Sequence, residues 1–345
     1  MSQVLENIKK RASALGKNVV LPEGEDKRVV AAAAVAVKEG LAKITLLGNP
    51  DTVAKNNPDV DLTGVNIIDP VTYCKTEEYA EMLYNARLGK INKKTGLPEY
   101  ADVQAAKASI LKDYTMYAAL MLKAGDVDGL VSGACHSTAN TLRPGLQVIK
   151  TAPGINTVSS SFVMIAPDGG NKYLPDGVAV FADCAINIEP DANQLADIAL
   201  SSAATAKAIA GIEPRVAMLS FSTKGSGNDD KYFKSVPKMQ EATALIKAAA
   251  PDLIVDGEFQ FDAAVAPEVG KLKAPDSKVA GHANVFIFPN INAGNIGYKI
   301  AQRFGNFLAL GPICQGFAKP INDLSRGCTA EDVIAVIAIT ALQAE

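Results

Sequence analysis

Short apolar runs alternate with longer alanine- and valine-rich segments along the chain. Residues 18–21 and 43–47 are apolar runs closed by Pro or Gly, and the stretch 28–39 between them has a helical composition and stops at Gly40. Alternation of this kind is typical of parallel strands joined by helical crossovers, with ligand groups at the carboxyl ends of the strands. The pattern therefore predicts an α/β fold.

The alternation continues toward the end of the chain. Further helices are predicted over residues 76–87, 103–124, 195–209 and 238–250, and further strands over 128–133, 157–165, 177–182, 216–220, 253–256 and 283–288. Residues 89–100 are polar, basic and rich in turn formers, which predicts an exposed insertion. Residues 333–342 are apolar on almost every side, so we expect a buried C-terminal helix there.

Size and charge restrict the class of partner. At 345 residues with 48% hydrophobic side chains, the chain can bury the cores of two domains. Its net charge of -3 provides no overall attraction to nucleic acid or to anionic membranes, so any anion must bind at a local site. We therefore expect a small-molecule ligand, with no nucleic-acid or membrane partner.

Cysteine usage and the N-terminus both predict a cytoplasmic protein. The five cysteines are odd in number and form no CxxC pair, unlike a disulfide framework or a zinc site. Residues 1–15 carry several charges and lack a continuous apolar core, which predicts an amphipathic helix rather than a signal peptide. No apolar run approaches the roughly 18 residues of a membrane span.

The segment 320–332 places a hydroxyl, a guanidinium and a carboxylate within one loop and helix start. Ser325, Arg326 and Asp332 supply these groups. Thr329 stands three residues before Asp332, the spacing of a helix N-cap and its reciprocal acid, so a helix is predicted to begin near Thr329. Free backbone N–H groups at that helix start and the planar donor of Arg326 suit a phosphate or a carboxylate.

A purely structural role accounts for the same residues. Asp332 can simply cap the helix, Arg326 can pair with Asp323, and Ser325 can finish a turn. Residues 320–323, which include Pro, Asn and Asp, predict an interruption of regular structure just before the loop. The spacing alone leaves both interpretations open.

A second candidate loop follows the predicted strand at 128–133 and contains His136, Ser137, Thr141 and Arg143. Arg143 can reach a phosphate or pair with a neighbouring carboxylate. A lone histidine in a loop rich in Ser and Thr more often hydrogen-bonds the loop than acts as a base. Because the chain has only two histidines, a histidine-rich metal site is not expected.

Two other cations occupy comparable positions. Lys299 lies in the segment 292–299, which follows the last of these predicted strands and opens a helix, and this is another candidate anion loop. Arg87 ends a predicted helix, where the helix dipole favours a cation whatever the function. Neither a Walker P-loop nor the Rossmann glycine pattern is present, which removes the main support for a kinase or a Rossmann dehydrogenase.

Six ordered segments resemble the phosphate acetyltransferase (phosphotransacetylase) family, and together they extend over nearly the whole chain. They are residues 21–26, 131–144, 219–226, 256–262, 288–299 and 320–328. Phosphate butyryltransferases share much of this framework and are the relatives most easily confused with it. The resemblance implies reversible transfer of an acetyl group between CoA and inorganic phosphate, without a metal or an organic prosthetic group.

The resemblance also implies a fold and an assembly. It indicates a homodimer whose subunits have two α/β/α domains and an active site in an interdomain cleft, as in isocitrate and isopropylmalate dehydrogenases. In that fold the C-terminal segment completes the first domain, which agrees with the predicted buried helix. We therefore expect a first domain of residues 1–152 plus 314–345 and a second domain of residues 153–313.

Residue roles follow from the same resemblance. Asp332 matches the family's general base for the CoA thiol, Ser325 its hydroxyl near the reacting thioester, and Arg326 its phosphate-binding guanidinium. After Arg87 the family continues with a short turn, whereas residues 88–102 here are longer and different. The positions matched to CoA or phosphate binding are Ser137, Thr141, Arg143, Lys299 and Arg87.

Two further classes of function share the fold. A metal-dependent decarboxylating dehydrogenase would need nicotinamide and a divalent cation, for which the sequence has no clear ligand cluster. A catalytically silent regulatory module is the other alternative, and the intact set of Ser325, Arg326 and Asp332 disfavours it.

Overall fold

The computed structural model describes residues 3–227 and 234–345. The helices are α1 (Gln3–Leu15), α2 (Lys27–Lys38), α3 (Pro50–Asn56), α4 (Thr76–Ala86), α5 (Val103–Ile110), α6 (Tyr114–Ala124), α7 (Thr138–Pro144), α8 (Ala192–Thr205), α9 (Ser235–Ala249), α10 (Phe261–Val265), α11 (Pro267–Lys273), α12 (Ile291–Phe304) and α13 (Ala330–Gln343). The strands are β1 (Asn18–Leu21), β2 (Lys43–Leu47), β3 (Asn66–Ile68), β4 (Gly129–Ser132), β5 (Ser159–Ile165), β6 (Val178–Ala182), β7 (Arg215–Leu219), β8 (Ile254–Phe259), β9 (Val285–Ile287), β10 (Leu308–Gln315) and β11 (Ile321–Asp323).

The chain forms two compact units, each with its own sheet. The split unit comprises Asn7–Ala152 and Phe317–Glu345, and the central unit comprises Pro153–Gly316 with the first residues of α1. The chain returns to the split unit only at Phe317, because β10 pairs with the central sheet up to Gln315. Each unit combines a sheet with helices, which confirms the predicted α/β class.

The sheet of the split unit is parallel, with the strand order β11-β4-β1-β2-β3. From β1 the chain builds outward through β2 and β3, and then returns to place β4 on the other side of β1. The order therefore reverses between β1 and β4. In open α/β sheets, the crevice at the carboxyl ends of two such strands is the usual ligand position.

The prediction that residues 320–323 interrupt regular structure is wrong. Residues Ile321–Asp323 form β11, whose Asn322 and Asp323 pair with Val131 and Ser132 of β4. Asn and Asp are poor strand formers. The strand forms because Asn322 is buried and donates hydrogen bonds to Thr340 and Gln343 of α13, contacts that local sequence patterns do not reveal.

The C-terminal helix is buried, as predicted. Every residue from Val333 to Leu342 is buried, and α13 packs against α2, β1 and β4. The predicted start is also confirmed, since Thr329 is the N-cap. A second part of this core centres on Tyr79 and Tyr117, whose rings meet edge to face at 5.2 Å.

The single helix predicted over residues 103–124 is two helices, α5 and α6. The break falls at residues 111–113, where Asp113 caps α6 by accepting a hydrogen bond from the backbone N–H of Met116 at 3.0 Å. The apolar periodicity continues across the break because both helices face the same core. The predicted exposed insertion is confirmed, since residues 91–98 are all exposed.

The sheet of the central unit is mixed, which corrects the expectation of parallel strands throughout. Its order is β10-β5-β6-β9-β7-β8, and β5 runs antiparallel to both β10 and β6. The sequence pattern missed β10 because Gly311-Pro312 divides its apolar run, and the pairing register shifts there. In the described ranges, no helix is both long and apolar enough to cross a bilayer.

Gly24→Ala is expected to destabilise the split unit by about 1–3 kcal/mol, the usual cost of extra atoms in a packed site. A Cβ on Gly24 would lie 2.3 Å from the carbonyl oxygen of Leu47. Gly327→Ala is the matched control, because the nearest atom to its Cβ would be 3.8 Å away and its backbone is not left-handed. Equal melting temperatures for the two variants would contradict this account of the packing.

Candidate active site

Three loops of the split unit meet at the carboxyl ends of adjacent strands. They follow β1, β4 and β11, and lead into α2, α7 and α13. The loops after β4 and β11 carry most of the residues that the sequence singled out. The loop after β1, residues 22–26, belongs to one of the segments that resemble the family, and the sequence predicts no role for its side chains.

Glu23 connects the first loop to the second. Its carboxylate has no exposed surface and accepts hydrogen bonds from the backbone N–H groups of Gly133, Ala134 and Cys135 at 3.0, 2.9 and 2.8 Å. It also contacts Nδ1 of His136 at 2.7 Å. A buried carboxylate is tolerable only when hydrogen bonds replace its hydration, and here the loop after β4 supplies them.

Arg28 connects all three loops. Its Nη1 donates to the carbonyl oxygens of Arg326 and Cys328 at 2.8 and 3.0 Å, and its Nη2 donates to the carbonyl oxygen of Ala134 at 3.0 Å. The remaining donors form a bidentate pair with Asp26, at 3.0 Å from Nε and 2.7 Å from Nη2. The rigid fork of a guanidinium can hold several acceptors at once, which an ammonium group does less well.

Asp26 has an electrostatic and a capping role. Hydrogen bonding to Arg28 lowers the pKa of its carboxyl from 3.8 to about 2, although burial acts in the opposite direction. The same carboxylate caps α2 by accepting from the N–H groups of Arg28 and Val29. Asp26 therefore stays ionised and fixes both the helix start and the guanidinium.

The loop after β11 presents three exposed side chains, Ser325, Arg326 and Asp332. Asp332 forms the predicted capping box with Thr329: its Oδ2 accepts from the N–H of Thr329 at 2.9 Å, and its own N–H donates to Thr329 Oγ1 at 3.2 Å. Oδ1 of Asp332 has no hydrogen-bond partner in the part of the chain that the structure describes. One carboxylate oxygen therefore holds the helix start while the other stays open.

Arg326 does not pair with Asp323, which was the structural alternative. Over residues 3–227 and 234–345, its guanidinium forms no ion pair or hydrogen bond. Ser325 Oγ accepts from the N–H of Gly327 at 3.2 Å, so the turn role proposed for this hydroxyl is present. A serine hydroxyl retains its own proton to donate when it accepts in this way.

The candidate residues after β4 are partly exposed and partly buried. Ser137 is exposed and caps the short helix α7, and Arg143 is exposed with Nη2 donating to Asn140 at 3.0 Å rather than to a carboxylate. Thr141, in contrast, has no exposed surface. Thr141 therefore faces the interior of the split unit, although the resemblance places it with the substrate-binding positions.

Asp323 is the buried carboxylate beside Thr141. Burial raises the pKa of Asp323, and the hydroxyls of Thr138 and Thr141 oppose that shift. Thr138 donates to Asp323 Oδ2 at 2.6 Å, whereas neither Asp323 Oδ1 nor Thr141 Oγ1 has a partner with hydrogen-bond geometry in the described residues. A Cβ at Gly133 would lie 2.3 Å from Oδ1, so only glycine fits there.

The last two candidates, Arg87 and Lys299, make contacts with their own neighbours in sequence. Arg87 is engaged in an ion pair, with Nε and Nη2 donating to Glu99 at 3.0 and 2.6 Å. Lys299 belongs to α12 of the central unit, where its Nζ donates to Asn295 at 2.8 Å and lies 5.7 Å from the ring centroid of Tyr298.

The central unit contains a cavity of about 1510 Å³ at the carboxyl ends of β6, β7 and β9. Phe181, Leu219, Phe288 and the α12 residues Gly297 and Ile300 contribute to its wall. The cavity does not include Ser325, Arg326 or Asp332. No group of three or more potential metal ligands occurs in the described ranges.

Sequence reasoning missed the residues that hold the loops together. Glu23, Asp26 and Arg28 received no role, Asp323 appeared only as a partner for Arg326, and His136 was interpreted as a structural hydrogen-bonding residue. The available signal was the acidic run Glu23–Asp26 directly after a buried strand, at a predicted ligand edge.

Comparison with known proteins identifies the family of the chain. The chain matches the family model for phosphate acetyl/butaryl transferase over residues 3–341. It therefore belongs to that acyltransferase family, as the sequence segments indicated.

The relatives extend over the full length of the chain. The phosphate acetyltransferase of Clostridium acetobutylicum is 47% identical over 345 residues, covering 99% of this chain and 98% of the relative. That of Bacillus subtilis is 45% identical over 346 residues, covering all of both chains. A phosphotransacetylase structure from Streptococcus pyogenes has a TM-score of 0.89 at 44% identity, covering 100% of this chain and 99% of that one.

A more distant structure shows the fold alone. The 4-hydroxythreonine-4-phosphate dehydrogenase of Klebsiella pneumoniae has a TM-score of 0.53 at 12% identity and covers 96% of this chain. The expected kinship of fold with dehydrogenases is thus present, without an implication for chemistry.

Asp26→Asn is expected to reduce stability by about 1–2 kcal/mol at pH 7, allowing for partial solvent screening of Arg28. Because the folded pKa lies below the ordinary value, the carboxyl stabilises fully above about pH 4 and loses this effect as pH falls toward 2. Urea unfolding of both proteins at pH 7, 4 and 3 measures the difference. A difference in the free energy of unfolding that does not narrow at pH 3 would contradict the assignment. The variant is conservative because Asn can still cap α2.

Proposed function

We propose that this protein is a phosphate acetyltransferase that catalyses acetyl-CoA + phosphate = CoA + acetyl phosphate in both directions. The observation that carries the proposal is the open set of Ser325, Arg326 and Asp332 at one helix start, in a chain that matches its family from residue 3 to residue 341. Acetyl transfer is favoured over butyryl transfer because the full-length relatives are phosphate acetyltransferases.

The chemistry assigned to these residues is direct transfer within a ternary complex. In the direction of acetyl-CoA synthesis, Asp332 takes the thiol proton while sulfur attacks the acetyl carbonyl. The C–S bond forms, the bond from the carbonyl carbon to the phosphate oxygen breaks, and Arg326 neutralises the departing phosphate. The open Oδ1 of Asp332 is the atom available for the proton, since Oδ2 is used by the cap.

Ser325 and the neighbouring backbone donors would stabilise the oxyanion that develops on the carbonyl. A free thiol is mostly protonated at neutral pH, which is why a base at the point of attack accelerates the reaction. In the reverse direction, phosphate attacks the thioester, and the CoA thiolate that leaves recovers its proton from Asp332.

A covalent acyl-cysteine route has little support in the described site. Cys135 is an exposed residue of the loop after β4, but partial burial of its sulfur and the hydrogen bond from Sγ to Asp26 raise the pKa of its thiol to about 12. Burial also raises the pKa of the Cys328 thiol. Thiols held in this way are poor nucleophiles at neutral pH, which favours direct attack by the substrates.

The remaining parts of the proposal concern binding and assembly. The exposed residues Arg143 and Ser137 are assigned to CoA or phosphate, together with Lys299. For Thr141 and Arg87 the assignment rests on the family resemblance alone, because Thr141 is buried and Glu99 engages the guanidinium of Arg87. We further propose a cytoplasmic location and a reaction independent of metal and prosthetic group. The domain division at residues 1–152 plus 314–345 and 153–313 is also proposed, with residues 3–6 and 314–316 moved to the second domain, to which the compact units assign them.

A homodimer is also proposed, and an exposed apolar stripe supports it. Ile296, Ile300 and Phe304 recur every four residues along α12 and are 58%, 53% and 88% exposed. Apolar stripes of this kind mark interaction surfaces more often than isolated apolar residues do.

The first experiment measures phosphate-dependent release of CoA thiol from acetyl-CoA and from butyryl-CoA, in chelator-treated buffer without nicotinamide. Release with acetyl-CoA preferred is the expected result. A preference for butyryl-CoA would change the substrate and keep the mechanism. Absence of release from both would overturn the proposed function, and restoration by a divalent cation would overturn metal independence.

Arg326→Gln is expected to lower kcat/KM about 100-fold or more, because a charged donor aimed at the phosphate is lost. Its melting temperature should stay close to that of the wild type, since the guanidinium forms no hydrogen bond or ion pair within the described residues. Arg303→Gln, an exposed arginine on α12, is the matched control. Wild-type turnover in Arg326→Gln would remove this residue from the mechanism.

Phe304→Asp is expected to convert the dimer to a monomer, because a carboxylate cannot be buried without a partner at an apolar interface. Light scattering coupled to size exclusion measures the mass. Leu272→Asp serves as the comparison, since Leu272 is 81% exposed on α11, outside the stripe. A dimer in both variants would place the interface elsewhere.

A further inference from the structure

Glu23 and His136 form a pair that the assigned chemistry does not use. The carboxylate of Glu23 has no exposed surface, and its Oε1 lies 2.7 Å from Nδ1 of His136. Both oxygens of that carboxylate already accept backbone N–H groups of residues 133–135, so we assign the donor role in this contact to Nδ1. The ring is then restricted to forms in which Nε2 is the atom left for other partners.

Nε2 of His136 is available for such a partner. The side chain is 37% exposed, in contrast to the 0% of Glu23. The described residues provide no hydrogen-bond partner for Nε2. The three backbone N–H groups of residues 133–135 already compensate most of the Glu23 carboxylate, so the imidazole is not needed merely to bury it.

The position of Glu23 and His136 in the fold also points to a ligand. Glu23 follows β1 and His136 follows β4, and these two strands flank the point at which the strand order reverses. A ligand in the crevice at this edge of the sheet would meet both loops.

Arg28 places the histidine loop beside the phosphate-binding residue of the proposed function. One guanidinium donates to the carbonyl oxygens of both Ala134 and Arg326. Thr138 adds a direct contact to Asp323, two residues before Ser325. The backbone that carries His136 is therefore tied to the backbone that carries Arg326.

We propose that His136 is a further catalytic residue, aligned by Glu23 as a positioning residue, whose Nε2 hydrogen-bonds the phosphate group of the substrate. The inference rests on the proposed function and adds one ligand to its phosphate site. Neutral imidazole accepts at Nε2 from a protonated phosphate oxygen, and imidazolium donates there to an unprotonated one, so both ring states make the contact. No proton transfer or covalent step is required of the ring.

His136→Asn is the discriminating variant. Its amide can donate to Glu23 from the place of Nδ1 but has no counterpart of Nε2. We expect KM for phosphate to rise and kcat to fall, with a combined loss of about 10- to 100-fold, the size of one hydrogen bond to a charged group. KM for acetyl-CoA should change less than about twofold, because the lost hydrogen bond is to phosphate and not to CoA. Wild-type values for phosphate would overturn the proposal.

Glu23→Gln tests the positioning role. The variant keeps the side-chain shape of Glu23 but replaces one acceptor oxygen with an N–H₂ group, which cannot accept from the neighbouring N–H donors. The orientation of the His136 ring is then no longer unique. The same phosphate-specific loss is expected, of about 10-fold, since small misplacement of a reacting group is costly. A stability loss without a change in KM for phosphate would assign Glu23 a structural role only and contradict the pair.

Nitrogen NMR provides a readout that does not need turnover. The protein has two histidines, and His282→Asn, a change at an exposed residue of the central unit, assigns the spectrum. In the wild type, His136 should show a proton on Nδ1, and inorganic phosphate should shift its Nε2 resonance. A spectrum with the proton on Nε2 alone, or no response to saturating phosphate, would overturn the inference. If the wild-type protein released no CoA, the proposed function would fail while this titration still decided the role of His136.

Discussion

One guanidinium holds the candidate site together. Arg28 connects the loops after β1, β4 and β11, and its own position is fixed by the ionised carboxylate of Asp26 at the start of α2. Loop backbone at the edge of a parallel sheet leaves carbonyl and N–H groups without ladder partners. Arg28 satisfies the carbonyl oxygens, and Glu23 satisfies the N–H groups of residues 133–135. The arrangement of the exposed residues depends on these two sets of contacts, of which only that of Glu23 is fully buried.

The candidate site thereby contains two sets of residues, one that fixes the loops and one that is exposed for reaction. The carboxylates of Glu23 and Asp323 are buried and hydrogen-bonded to loop groups, whereas Ser325, Arg326 and Asp332 are exposed. Arg326 forms no ion pair in the described part of the chain, so its charge remains available for phosphate; an internal ion pair would neutralise it. Arg87 illustrates the contrast, because Glu99 already occupies its guanidinium.

Features set by neighbouring residues were predictable from sequence. The capping box of Thr329 and Asp332 depends on a spacing of three residues, and the buried face of α13 depends on composition alone. Features set by distant residues were not. Asn322 and Asp323 resemble a turn, yet they form a strand because β4 and α13, far away in sequence, supply their partners. The antiparallel pairing of β10 with β5 likewise depends on residues roughly 150 positions apart.

The amino-acid sequence by itself therefore determined the family, the α/β class, the helix start at Thr329 and the identity of the exposed residues Ser325, Arg326 and Asp332. Only the tertiary structure decided that Glu23 lies against residues 133–136 and that Arg28 reaches Ala134, Arg326 and Cys328. The physical reason is the distance along the sequence over which each interaction acts. Capping and amphipathicity act over one or two helical turns, whereas hydrogen bonds between loops exist only after the sheet has brought β1, β4 and β11 side by side.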